Sequence, residues 1–105
     1  MNSKKAASLI GLSMKAGKVA SGEFATEKAV KQGWAHLVVA AEDASDNTKK
    51  KFGNMCAYYR VPFRCFLSKD ELGRAIGKEY RACLAVLDEI LAGATEKQFK
   101  EQRGK

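Results

Sequence analysis

His36-Leu37-Val38-Val39-Ala40-Ala41 is a run of six residues in which everything after the histidine is apolar. A run this short, centred on two valines, has the pattern of a strand buried on both faces. The polar turn Glu42-Asp43-Ala44 follows, and then Ser45, a residue suited to cap a helix. Beyond it Thr48, Phe52, Met55, Cys56 and Tyr59 recur at helical spacing and predict the buried stripe of a helix. Val61-Pro62 ends that helix, because the residue before proline is pushed out of the helical region. A strand covered on both sides and followed by a helix implies helices on both faces of a sheet.

The rest of the chain extends the same alternation. Upstream, Ser3 or Asn2 caps a first helix with Ala6, Leu9, Ile10, Ser13 and Met14 at helical spacing and Gly17 as its stop. Val19-Ala20 is a short extended piece ending at Gly22, and residues 23–32 form a second helix closed by Gly33. Downstream, residues 63–67 read as a strand, and Ser68-Lys69-Asp70-Glu71 fits a capping box opening a fourth helix that Gly77 closes. Residues 82–87 are the last strand, and Asp88 caps a final helix through Leu91, weakened by Gly93. The order α-β-α-β-α-β-α-β-α predicts a three-layer α/β/α sandwich around a central mixed four-stranded sheet. Residues 1–93 are expected to form this single domain, and residues 94–105 a charged, frayed tail.

Nineteen Lys and Arg against twelve Asp and Glu give the 105-residue chain a formal charge of +7, which favours polyanionic partners and nucleic acid above all. The three cysteines, Cys56, Cys65 and Cys83, have apolar flanks and no C-x-x-C spacing. They read as small core residues in a reducing compartment and not as metal ligands. The N-terminal apolar run is broken at Gly11, Ser13 and Lys15, unlike a signal peptide, and no segment has the length of a membrane span. A cytoplasmic protein without membrane association is expected, and a monomer.

Catalysis finds little support. His36 is the single histidine, so no second imidazole exists to complete a metal site, and it sits at a strand edge. Neither phosphate-cradling glycine motif occurs. Glu42-Asp43 suits metal or acid–base work in principle, but two carboxylates just before a capping serine are more often loop and helix-terminus chemistry. No catalytic residue, metal or cofactor is expected.

The second helix is more informative. On a wheel of 100° per residue, Thr26, Ala29, Val30 and Gly33 gather on one side, as helix-on-sheet packing requires. Phe24, Lys28 and Lys31 gather on the other, which places an aromatic ring beside two ammonium groups. Lysines neutralise phosphates and a ring stacks on an unpaired base, so this face suits RNA. The alternative is that Phe24 tucks beneath a neighbouring loop. Gly22 would let a ligand backbone approach the helix N-terminus, with Lys15 and Lys18 just upstream and Lys49-Lys50-Lys51 as supporting charge.

Taken in order, Gly17-Lys-Val-Ala-Ser-Gly22, Lys28, Gly33, the stretch 35–44, Val61-Pro62 and Ser68-Lys-Asp-Glu-Leu-Gly-Arg-Ala-Ile-Gly77 resemble the ribosomal protein superfamily of the L-seven-Ae and L-thirty-e type. The resemblance spans residues 5–88 and implies an α/β/α sandwich that binds kink-turn RNA. It implies contacts from three segments, 22–31, 42–45 and 75–81. Within them Gly22, Glu23, Phe24, Lys28 and Lys31, then Glu42, Asp43 and Ser45, then Ala75, Ile76, Gly77 and Lys78 are the expected RNA-binding residues, together with Lys18. One departure stands out. Phe24 and Ala25 occupy the positions where the family commonly carries Asn and Glu, and neither side chain can make base contacts worth about 1–3 kcal/mol each. The expected partner is structured RNA, with ribosomal RNA a candidate in a translation setting. The rivals are a protein-interaction module and an accessory subunit of an RNA-modifying complex.

Overall fold

The structure, a computed structural model, describes the backbone of residues 3–103 and the side chains of residues 3–98. Nine elements follow in order: α1 (Ser3–Lys15), β1 (Val19–Ser21), α2 (Glu23–Lys31), β2 (Leu37–Ala40), α3 (Asp46–Tyr59), β3 (Phe63–Cys65), α4 (Lys69–Ala75), β4 (Cys83–Val86) and α5 (Glu89–Arg103). The four strands make one mixed sheet in the order β1-β4-β2-β3. β4 lies antiparallel to both β1 and β2, and β3 lies parallel to β2.

The pleat sorts the strands' side chains into two cores. Leu37 and Val39 of β2 join Leu84 and Val86 of β4 against Ala6 and Ile10 of α1, Leu72 of α4 and Ala92 of α5. Val38, Ala40, Cys83 and Ala85 face the other way, onto Ala29 and Val30 of α2 and Phe52 and Cys56 of α3. The sheet is thus sandwiched between α1, α4 and α5 on one side and α2 and α3 on the other. Every residue of β2 and β4 is buried, as the continuous apolar runs required. Helix ends follow their local signals. Ser45 Oγ accepts from Thr48 N at 3.1 Å, and Ser68 and Glu71 close a reciprocal capping box.

Four expectations need correction. Ser3 lies inside α1 and does not precede it, while Asn2, the other cap considered, falls outside the described residues. Tyr59 is 41% exposed although it continues the apolar stripe of α3. The cause is length: fourteen helical residues span about 21 Å and four strand residues about 13 Å, so the last turn of α3 outruns the sheet. Residues 94–103 are helical, because α5 lies along α1 and buries Thr95 and Gln98 as well as Ala92. Their polar atoms are satisfied within the helix, Thr95 Oγ1 donating to the Leu91 carbonyl and Gln98 Nε2 to that of Ala94. Finally, Cys56 and Cys83 are buried but Cys65 is exposed, at the end of the edge strand β3.

Candidate nucleic-acid interface

One end of the sheet gathers the three segments. β1 finishes there at Ser21, β2 at Ala40 and β3 at Cys65, and β4 begins there at Cys83. Hydrogen bonds tie the loops at this end into a ring. Thr48 Oγ1 of α3 donates to Glu23 at the start of α2 (3.1 Å) and accepts from Ser45 Oγ (2.9 Å). Lys69 N donates to Asp43 Oδ1 (2.8 Å), Arg81 N donates to the Lys69 carbonyl (3.1 Å), and Arg81 Nε reaches back to Ser21 Oγ (3.2 Å). The start of segment 22–31, segment 42–45 and the end of segment 75–81 therefore meet along one rim.

Gly22 is the centre of that rim. Its φ of 91° is open to glycine and strained for other residues, and nothing lies within 4 Å of where a Cβ would stand. Gly22 N donates to the Cys83 carbonyl at 2.9 Å, which pins the turn to the sheet. α3, α4 and α5 each receive a side-chain cap, from Ser45, Ser68 and Asp88, whereas α2 receives none from Gly22. Its first N–H groups and positive dipole end stand beside a bare backbone.

The two faces of α2 divide as the wheel implied. Thr26, Ala29 and Val30 are buried against the sheet. Phe24 is 85% exposed, so the ring does not tuck beneath a loop. Lys28 is exposed, and no carboxylate among the described residues pairs with it. Lys31 is different, because its ammonium sits 2.7 Å from Glu27, which also holds Lys51 at 3.0 Å. Bonding to Lys31 and Lys51 lowers the Glu27 pKa, and Glu27 in turn raises that of Lys31. The trio keeps one net positive charge.

The remaining sequence-derived residues are placed unevenly. Glu42, Asp43, Ser45, Gly77 and Lys78 are exposed at or beside the rim, although the Asp43 carboxylate is committed to the N–H of Lys69. Ala75 is half-buried. Ile76 is only 4% exposed and packs among Ile10, Leu72 and the other residues of that core, so its side chain is structural. Lys18 stands at the opposite end of β1, where its carbonyl accepts from Leu87 N, and His36 is likewise at that far end, bonded through its N–H to Val86. Neither shares the rim with Gly22. Tyr80, exposed beside the rim, and Arg81, whose side chain bridges to Ser21, lie within the implied segment 75–81 but were not singled out from the sequence. An aromatic–basic pair just ahead of a buried strand was the available signal.

Comparison with known proteins fits this arrangement. A profile of the ribosomal protein L7Ae/L30e/S12e/Gadd45 family matches residues 4–93. The chain is 47% identical over 84 residues to a Bacillus subtilis (strain 168) protein named RNA-binding protein YlxQ, covering 80% of this chain and 84% of that one. A protein of the same name from Enterococcus faecium is 40% identical over 95 residues, covering 90% and 91%. Among solved structures, a Bacillus halodurans C protein of unknown function superposes with a TM-score of 0.86 at 35% identity, covering 89% of this chain and 94% of that one. A Giardia lamblia 15.5kD RNA binding protein shares the fold with a TM-score of 0.77 at 22% identity, covering 91% and 82%. With its sandwich, its sheet order and most of its length accounted for, the chain belongs to the ribosomal protein L7Ae/L30e/S12e/Gadd45 family.

Proposed function

We propose that this chain is a non-catalytic RNA-binding protein that receives a structured RNA of kink-turn type against the rim around Gly22. The exposed Phe24 carries the proposal, because a ring standing free beside an uncapped helix N-terminus and the unpaired Lys28 is placed to stack on a base while the cation meets a phosphate. In this reading Lys28, Lys78 and the net charge of the Lys31–Glu27–Lys51 trio meet phosphates, the Gly22 turn admits the RNA backbone, and Phe24 stacks on an unpaired base. Tyr80 and Arg81 extend the contact. Family membership and two relatives named as RNA-binding proteins support it. The rim offers cations, N–H donors, rings and hydroxyls suited to holding a polyanion; of its carboxylates, Glu23 and Asp43 are engaged by Thr48 and by the N–H of Lys69, and Glu42 is exposed. The same proposal has the protein acting as a monomer in the cytoplasm, with ribosomal RNA the first RNA to try. Among the described residues no helix is long and apolar enough to cross a membrane.

Binding of a kink-turn hairpin and of a plain duplex of equal length, each titrated with salt, tests this. The hairpin is expected to bind more tightly, with a log–log salt slope of about −0.7 to −0.9 per phosphate contacted. Phe24→Asn combined with Ala25→Glu is expected to widen the preference for the hairpin. Equal binding of both RNAs with a flat salt response would overturn the proposal.

A further inference from the structure

At the other end of the α2–α3 layer lies a second set of exposed rings. α2 and α3 run side by side in the same direction, pinned at their first turns by Glu23–Thr48 and half-way along by Glu27–Lys51. Their C-termini therefore share the end of the sheet opposite Gly22, and Lys31 in the last turn of α2 lies within electrostatic reach of Tyr59 in the last turn of α3. Trp34 stands just past α2 and is 51% exposed, its N–H and that of Ala35 both fixed to the Ala29 carbonyl. Tyr58 is 80% exposed and meets Tyr59 edge-on, with ring centroids 4.9 Å apart. These rings are held in place by fixed backbone, and the sheet has no surface left to cover them.

Charge selects the partner. The stretch 28–41 contains no Asp or Glu, and neither does 47–69, so the turns that follow α2 and α3 carry no acidic residue of their own while Arg60 adds a cation at this end. The closest acidic group along α2, Glu27, is already neutralised twice over. Asp88, at the foot of β4, is turned to the N-terminus of α5 on the opposite layer. Arg60 adds a second kind of observation. α1, α2 and α4 each close on a glycine with positive φ (Gly17, Gly33, Gly77), while α3 closes on Arg60 at φ 61° and ψ 43°. A left-handed cap is strained for a non-glycine residue, yet at this one helix end the chain keeps a cation beside two tyrosines. Such strain, retained where glycine would relieve it, points towards a use for the side chain.

We propose that Trp34, Tyr58, Tyr59 and Arg60 form a second RNA contact, which stacks on the unpaired bases of a single-stranded segment. It rests on the chain being an RNA-binding protein, but it uses a surface separate from the Gly22 rim. α2 is only about 14 Å long, so a strand leaving a structure held at the rim passes Lys28 and Lys31 and arrives at Trp34 within a few nucleotides. The rim then selects a folded RNA, and the far end selects one with an unpaired flank.

Trp34 is the only tryptophan, so its fluorescence reports on this surface alone. Titration with an oligouridylate is expected to quench it, with an affinity that falls as salt rises. Tyr58→Ala is expected to weaken that binding about fivefold or more, the range for losing one stacked ring, while Ile90→Ala, at an exposed site on α5 in the opposite layer, leaves it unchanged. A kink-turn hairpin carrying a single-stranded tail is expected to bind more tightly than the blunt hairpin, and Tyr58→Ala to abolish the difference. Quenching without any hairpin binding would uphold this contact and remove the reading of the rim. Hairpin binding with no oligouridylate quenching, or with an unaltered response in Tyr58→Ala, would overturn it. Equal quenching by polyglutamate would also overturn it, and would assign the surface to an acidic protein.

Discussion

Gly73→Ala sets helix propensity against tertiary packing, and the two call for opposite signs. Gly73 lies inside α4, where replacing glycine by alanine ordinarily adds about 1 kcal/mol of stability. Here a Cβ would fall 1.1 Å from the Glu79 carbonyl oxygen and 2.3 Å from its carbon. The obstacle is backbone, so the turn after α4 must retreat by roughly 2 Å to reach ordinary contact distance. Retreat breaks the bonds holding that turn: Lys78 N to the Gly73 carbonyl, Arg81 N to the Lys69 carbonyl, and Arg81 Nε to Ser21 Oγ. At about 1 kcal/mol each they amount to about 3 kcal/mol. After the propensity gain, a net loss of about 2 kcal/mol remains. Urea denaturation followed by circular dichroism measures it, as a lower midpoint with an unchanged slope. Gly93→Ala is the matched control, since Gly93 is an exposed helical glycine with nothing within 4 Å of its Cβ position. That variant is expected to gain up to about 1 kcal/mol. A Gly73→Ala protein as stable as the parent, or more so, would refute the idea that a fixed turn packed on α4 shapes the rim.

Phe24→Ala is expected to leave the unfolding free energy within about 1 kcal/mol of the parent's, since only a small fraction of the ring's area is covered; a loss of about 3–5 kcal/mol, the usual cost of emptying a core site, would contradict the exposure. The same variant is expected to weaken kink-turn binding by about 1–3 kcal/mol, read by gel shift or fluorescence anisotropy. Burial pushes the Cys56 and Cys83 thiols up to about 11, while Cys65, whose thiol partial burial also raises, is exposed to reagent. At pH 8, a thiol reagent should therefore modify one cysteine quickly and the other two only under denaturant. The same burial sets a pH dependence. Unfolded thiols lose their protons near pH 9, folded ones keep theirs, and the stability present below pH 9 is expected to decline as pH rises towards 11.

Period and punctuation in the sequence determined the element order, because an apolar run of strand length cannot be half-exposed and a serine followed three residues later by glutamate caps a helix with no help from the rest of the fold. They also determined the two faces of α2, since a helix of fixed pitch that buries Thr26, Ala29 and Val30 must present Phe24, Lys28 and Lys31. Distances across the fold are another matter. The ring from Glu23 through Thr48 and Asp43 to Arg81 joins residues as far apart in sequence as 60 positions, and no local pattern encodes it. The reach of α5 was hidden because Thr95 and Gln98 bury polar side chains that bond to their own helix. The pairing of Lys31 with Glu27 had i,i+4 spacing and was legible, whereas the arrival of Lys51 at the same carboxylate needed α3 laid beside α2. Ile76 and Lys18 mark the limit most clearly. Both flank motif residues in sequence, yet one turns into the core and the other lies at the far end of a three-residue strand. Proximity in sequence reports which residues share a turn. Only the packing of one layer on another decides which turns share a surface.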